Sequence, residues 1–219
     1  KETIGDNTPV ITDKNKHTET LRPIESSKTL GLRHRFNNRD CYEFLAGILE
    51  ENGISYFGVN GVGSTLIDQA RSRGINLNAF LTGEGITRVL CDNPVEINVS
   101  RVTDTSFDEI WNKIEPHLKK GAILSFSSQN IGHTGIIDRE DGRWVFINSS
   151  GSPGNRKTYR VLEEDLKHEI RGRLQRASRQ QTFLNLTLGS VNRVLTAKFE
   201  NPSLSEGSEH KDIDLFQVT

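Results

Sequence analysis

Gly132-His133-Thr134-Gly135-Ile136-Ile137-Asp138-Arg139-Glu140-Asp141-Gly142-Arg143-Trp144-Val145-Phe146-Ile147-Asn148-Ser149-Ser150 reads as a β-hairpin. Two strand-like runs, His133–Asp138 and Arg143–Ser149, flank Asp141-Gly142. That dipeptide accepts the positive φ angles of a tight turn. Side chains alternate along a strand, so His133, Gly135 and Ile137 share a face, as do Trp144, Phe146 and Asn148 on the partner. An even-numbered loop puts both sets on the same side and makes Asn148 a direct or diagonal neighbour of His133. An odd loop with a bulge brings Ser149 there instead.

Outward from the hairpin, Ala122–Ser127 predicts a preceding strand, and runs near Phe183–Leu188 and Arg193–Phe199 predict two later ones. Between them Leu162, Leu166, Ile170 and Leu174 step by four along a basic helix over residues 161–179. Upstream, Asp40 is a good N-cap, Phe44, Leu45, Ile48 and Leu49 recur at helical spacing, and Gly53 ends the helix. Ser64 caps a second helix running to about Arg73, and a third is expected over Ser106–Leu118. Helices followed by a block of antiparallel strands make an α+β layout rather than a doubly wound one. Residues 31–200 are expected to form the domain, after a polar lead-in over 1–30 and before a loose segment over 201–219.

The 219 residues suffice for one domain, with 33% hydrophobic and 26% charged residues. A net charge of −1 carries no basic signature for nucleic acid. No apolar run approaches the length of a transmembrane segment. There is no G-x-S-x-G elbow for a serine nucleophile. The histidines and cysteines show no metal-ligand spacing, so a zinc site is not expected. Gly58-Val59-Asn60-Gly61-Val62-Gly63-Ser64-Thr65 mimics a phosphate-binding loop, but Ser64 stands where a lysine is required. It is expected to be a flexible loop, bordering the site as a lid. Lys167, Arg171, Arg173, Arg176 and Arg179 predict a solvated basic face, or a dock for an anionic polymer.

Cys41 follows Asp40 in the first turn of the first predicted helix, where unpaired backbone N–H groups and the helix dipole converge. Both favour the thiolate, the reactive form. A helix cysteine alone is more often a buried core residue, and Cys91, without such a setting, is read as structural. His133 has small neighbours, which leave room around its imidazole. An Asn148 carbonyl beside that ring would fix its tautomer and orientation, the third role in a nucleophile–base–orienter triad.

Asp40-Cys41-x-x-Phe44, Leu118-Lys119-Lys120-Gly121-Ala122-Ile123-Leu124-Ser125-Phe126, Gly132-His133-Thr134-Gly135-Ile136 and Val145-Phe146-Ile147-Asn148-Ser149-Ser150 occur in that order. Together they resemble the NlpC-type cell-wall cysteine peptidases, a papain-like group whose pieces read roughly D-C-S-G-F, L-x-x-G-D-L-V-F-F, H-V-G-I and F-I-H-A-S. The resemblance covers about residues 40–150. It implies a papain-like fold, a nucleophile helix packed on a small antiparallel sheet. It also implies Cys41 as nucleophile, His133 as general base and Asn148 as orienting residue, with the Cys41 N–H as an oxyanion donor. Tyr42-Glu43 replaces Ser-Gly, Asn148 replaces the usual histidine, and residues 58–105 look like an insertion.

The expected function is a cysteine amidase or peptidase that cleaves peptidoglycan stem peptides through a thioester, without metal or cofactor. The expected location is the bacterial periplasm, the cell wall or outside the cell. A second reading keeps the chemistry in a secreted toxin or effector, whose partner would be an immunity or inhibitor protein. A third is an inactive binding module on the same fold.

Overall fold

The computed structural model describes residues 35–77, 81–103, 106–129 and 131–200; the lead-in over 1–30 and the segment over 201–219 lie outside the described residues. The six described strands are β1 (Val95–Val99), β2 (Ile123–Ser127), β3 (Gly132–Glu140), β4 (Arg143–Ser150), β5 (Arg160–Asp165) and β6 (Leu184–Gly189). The described α-helices are α1 (Cys41–Glu51), α2 (Val62–Ser72), α3 (Gly83–Leu90), α4 (Ser106–Ile114), α5 (Leu166–Arg179) and α6 (Arg193–Thr196).

The hairpin forms as its alternation requires. Asp141 and Gly142 both take positive φ, 47° and 81°, and close a two-residue loop. Glu140 therefore pairs with Arg143, Ile137 with Phe146 and Gly135 with Asn148. Around this pair the strands line up β1-β6-β2-β3-β4-β5 in one six-stranded sheet, every neighbour antiparallel. The fold is α+β.

Alternation splits the sheet into two apolar faces. Ile123, Ile136, Val145, Ile147 and Val161 pack under α1, α2 and α3. Leu124, Phe126, Ile137, Phe146 and Leu186 pack under α4 and α5. Helix α1 is sandwiched deeply: Phe44, Leu45, Ile48 and Leu49 are all fully buried. Each such side chain contributes about 1.5–3 kcal/mol through burial. Gly47 lets α1 approach Phe36, whose ring occupies the space a Cβ would need.

Four expectations change. Ser64 does not cap the second helix: α2 begins at Val62 with Gly61 as its N-cap, and Ser64 Oγ donates to the Val59 and Gly61 carbonyls. Residues 193–199 form α6 and a 3-10 turn (Ala197–Phe199) instead of a strand, because the Asn192 side chain accepts the Val194 N–H and caps a helical turn. The basic helix starts at Leu166; Leu162 belongs to β5 and pairs with Asn148. The interval over 58–105 carries α3 and β1 in addition to α2, and β1 adds to the sheet edge through β6.

Candidate active site

The site begins with the cap of α1. Asp40 Oδ1 accepts the N–H groups of Tyr42 at 2.9 Å and Glu43 at 2.8 Å. Glu43 Oε2 accepts the Asp40 N–H at 3.1 Å, which completes a capping box. The Phe44 N–H goes to the Asp40 carbonyl. These bonds engage the helix-start amides except that of Cys41, which lies against its own sulfur. The two residues after Cys41 have side-chain partners outside α1. Glu43 pairs with Arg156 at 2.6 Å, and the Tyr42 hydroxyl bonds that of Tyr56.

The chain entering α1 is tied to the far end of the sheet. Ser149 Oγ donates to the Arg39 carbonyl at 2.6 Å, and the Asn38 N–H donates to the Tyr159 carbonyl at 3.2 Å. The β3–β4 ladder stops at Gly135 and Asn148, so Gly132–Thr134 have no β4 partner. The Thr134 N–H favours the thiolate of Cys41.

His133 and Thr134, as successive strand residues, face opposite ways. Thr134 turns toward α3, where its hydroxyl bonds Ser125 Oγ at 2.8 Å beside Gly83. His133 turns toward the α5 face, its ring 5.7 Å from that of Phe146. There its Nε2 meets Asn148 Oδ1 at 3.0 Å. Asn148 is the diagonal neighbour expected from the two-residue loop. Gly135 makes this diagonal contact feasible: a Cβ there would collide with the Phe146 ring and the Ile147 carbonyl.

Behind Asn148 stands a residue that no local pattern announces. Its amide Nδ2 donates to Glu164 Oε2 at 2.7 Å, across the β4–β5 boundary. Asn148 is fully buried and His133 nearly so. Only strand pairing brings Glu164 here, so no spacing in the sequence could have found it.

Cys41, Tyr42, His133 and Thr134 line one cavity of about 240 Å³ with Ser125, Phe126 and residues 81–84. The interval over 58–105 thus contributes to the cavity through the start of α3, not through the glycine-rich loop, where Val62 and Gly63 are buried at the start of α2. Glu84 Oε1 is buried in this wall with no hydrogen-bond partner among the described residues. A larger groove of about 670 Å³ runs between α4 and α5, lined by Phe107, Asp108, Arg171 and Arg179, without cysteine or histidine among its described lining residues. The basic residues of α5 are not merely solvated: Arg171 lies 3.9 Å over the Phe107 ring and Lys167 lies 4.5 Å over Trp111.

The electrostatics correct one expectation. Burial pushes the Cys41 thiol above its ordinary range, although the Thr134 N–H and Arg173 pull the other way. The helix start therefore does not outweigh desolvation. Burial, together with Arg173 and Arg176, brings His133 down to about 3, although the Asn148 bond favours its charged form. Cys41 is a neutral thiol and His133 a neutral imidazole at rest; they share the cavity wall, and no hydrogen bond joins them among the described residues. Arg173 is itself held by Glu169 at 2.6 Å. Cys91 is buried at the end of α3, and burial alone raises its thiol. Both cysteines are free thiols. Among the described residues, no cluster of histidine, cysteine, aspartate or glutamate could hold a metal ion. No described helix is long and apolar enough to cross a membrane.

Comparison of the chain with protein-family models, with curated proteins and with solved structures found no match.

Proposed function

We propose that the chain is a papain-like cysteine hydrolase that cleaves amide bonds in bacterial peptidoglycan stem peptides. The observation that carries this reading is one cavity lined by Cys41, at the start of a capped helix, and His133, whose Nε2 is held by Asn148 Oδ1. With Nε2 so engaged, Nδ1 is the nitrogen that takes the thiol proton. The sulfur attacks the amide carbon, and the Cys41 N–H stabilises the oxyanion. Imidazolium at His133 then protonates the leaving amine, and a thioester forms. Water, deprotonated by His133, hydrolyses the thioester and restores the thiol. Because the resting pair is neutral, proton transfer accompanies attack rather than preceding it. Glu84 offers the bound peptide an acceptor on the cavity wall. The substrate class implies work in the periplasm, at the cell wall or outside the cell.

The test is digestion of purified peptidoglycan by wild type and Cys41→Ala, read by mass spectrometry. New muropeptides with wild type alone are expected, and their masses identify the bond. No cleavage by either protein would overturn the wall substrate and turn attention to a protein target, the secreted toxin or effector reading with its immunity partner. The inactive binding module is favoured by one observation, the buried neutral thiol. It predicts a Cys41 alkylation rate that does not change when His133 is replaced.

A further inference from the structure

Asn148 presents two chemically different ends to two different neighbours. Its Oδ1 lies 3.0 Å from His133 Nε2 and its Nδ2 lies 2.7 Å from Glu164 Oε2. An amide can be turned end for end with little change in shape, so its orientation is decided by its partners. An ionised carboxylate only accepts, so it demands the NH₂ end. The carbonyl end must then face His133. A carbonyl also only accepts, so Nε2 must carry the imidazole proton, and Nδ1 is left with the lone pair.

We infer that Glu164 is a positioning residue that sets the tautomer of His133 through Asn148. The relay runs across three adjacent strands, from β5 through β4 to β3, and its middle member is fully buried. Burial matters because water cannot then offer Asn148 an alternative partner. Nothing else on His133 Nε2 is needed for the choice. Burial first, and then the Arg173 and Arg176 guanidinium groups on α5, disfavour imidazolium. The ring therefore keeps one proton, and the amide decides which nitrogen holds it. The consequence for catalysis rests on the hydrolase reading: the nitrogen that Glu164 leaves unprotonated is the one required as base. The tautomer itself does not depend on that reading, so the two can fail separately.

The experiment is nitrogen-15 NMR of the histidine side chains in the intact protein at neutral pH, with His133 assigned by its disappearance in His133→Phe. Wild type is expected to show protonated Nε2 and bare Nδ1. Glu164→Gln can offer the amide either an oxygen or an NH₂, so it removes the constraint, and signals of both tautomers should appear. Glu164→Lys places a donor where the acceptor stood. It should turn the amide and move the proton to Nδ1. If Glu164→Lys does not fold, Glu164→Ala serves, and signals of both tautomers should appear. A wild-type spectrum with protonated Nδ1, or a folded lysine or alanine variant with the wild-type pattern, would overturn the inference. Peptidoglycan digestion by the same variants reads the consequence: activity lowered a few-fold in Glu164→Gln, where both tautomers are present, and by about tenfold or more in Glu164→Lys. Loss of activity with an unchanged tautomer would also overturn it.

Discussion

The two cysteines sit at opposite ends of helices, and the difference bears on which of them can be the proposed nucleophile. Cys41 opens α1, is only partly buried and lines a cavity with His133. Cys91 closes α3 as its C-cap, is 3% exposed and packs against Gly189, whose Cβ position its side chain would fill. Burial raises both thiols. For Cys41 the Thr134 N–H and Arg173 oppose burial, whereas for Cys91 burial is the one cause acting. The main opposing groups at Cys41 come from β3 and α5, so what the rest of the fold brings to each thiol separates the two more than helix position does.

The sharpest way to break this comparison is to remove each sulfur in turn. Cys41→Ala should lower peptidoglycan hydrolysis on the order of a thousandfold or more, and Cys91→Ala should leave the rate per folded molecule unchanged. Cys91→Ala should instead lower the melting temperature through a small core cavity. Equal losses of activity would dissolve the distinction.

Asn148→Ala comes next. It leaves Glu164 and the His133 ring without their shared partner in a fully buried place. Urea denaturation should show a loss of about 1–3 kcal/mol, and hydrolysis should fall on the order of a hundredfold. Gly135→Ala tests the close approach that lets Asn148 reach diagonally, and a destabilisation of about 1–3 kcal/mol is expected in the same assay.

His133 sharpens the comparison through pH. Its folded value, about 3, lies below the 6.5 of an ordinary histidine. Between those values the unfolded chain binds the proton and the folded chain does not, so stability falls as pH drops from 6.5 toward 3. The difference in unfolding free energy between wild type and His133→Phe should change with a slope approaching about 1.4 kcal/mol per pH unit in that window. A flat difference would mean that His133 titrates normally. The smallest effect belongs to the cap: Asp40→Ala should cost about 1 kcal/mol, read by thermal melting.

Much of the site was legible because its signals are local. Asp40 announces the start of α1, and Asp141-Gly142 fixes a register in which Asn148 lies diagonal to His133. The misread elements have equally physical causes. A step of four fits strand alternation as well as helical spacing, so Leu162 looked continuous with Leu166 although it lies on β5. Helix α3 carries Gly83 and Gly85 within eight residues, which masks its helical character; the close approach of Ser125 and Thr134 accounts for Gly83. Glu164 and the cavity wall over 81–84 arise from pairing between distant segments and leave no pattern in the chain. The thiol's acidity depends on burial, which the helix position alone cannot report.

The central claim is that Cys41 is a nucleophile served by His133. Its most direct test is the alkylation rate of each cysteine by iodoacetamide at neutral pH, followed by mass spectrometry in wild type and His133→Phe. Cys41 should react about a hundredfold faster than Cys91 in wild type and lose most of that advantage without His133. Equal rates for the two cysteines, or a Cys41 rate indifferent to His133, would contradict the account.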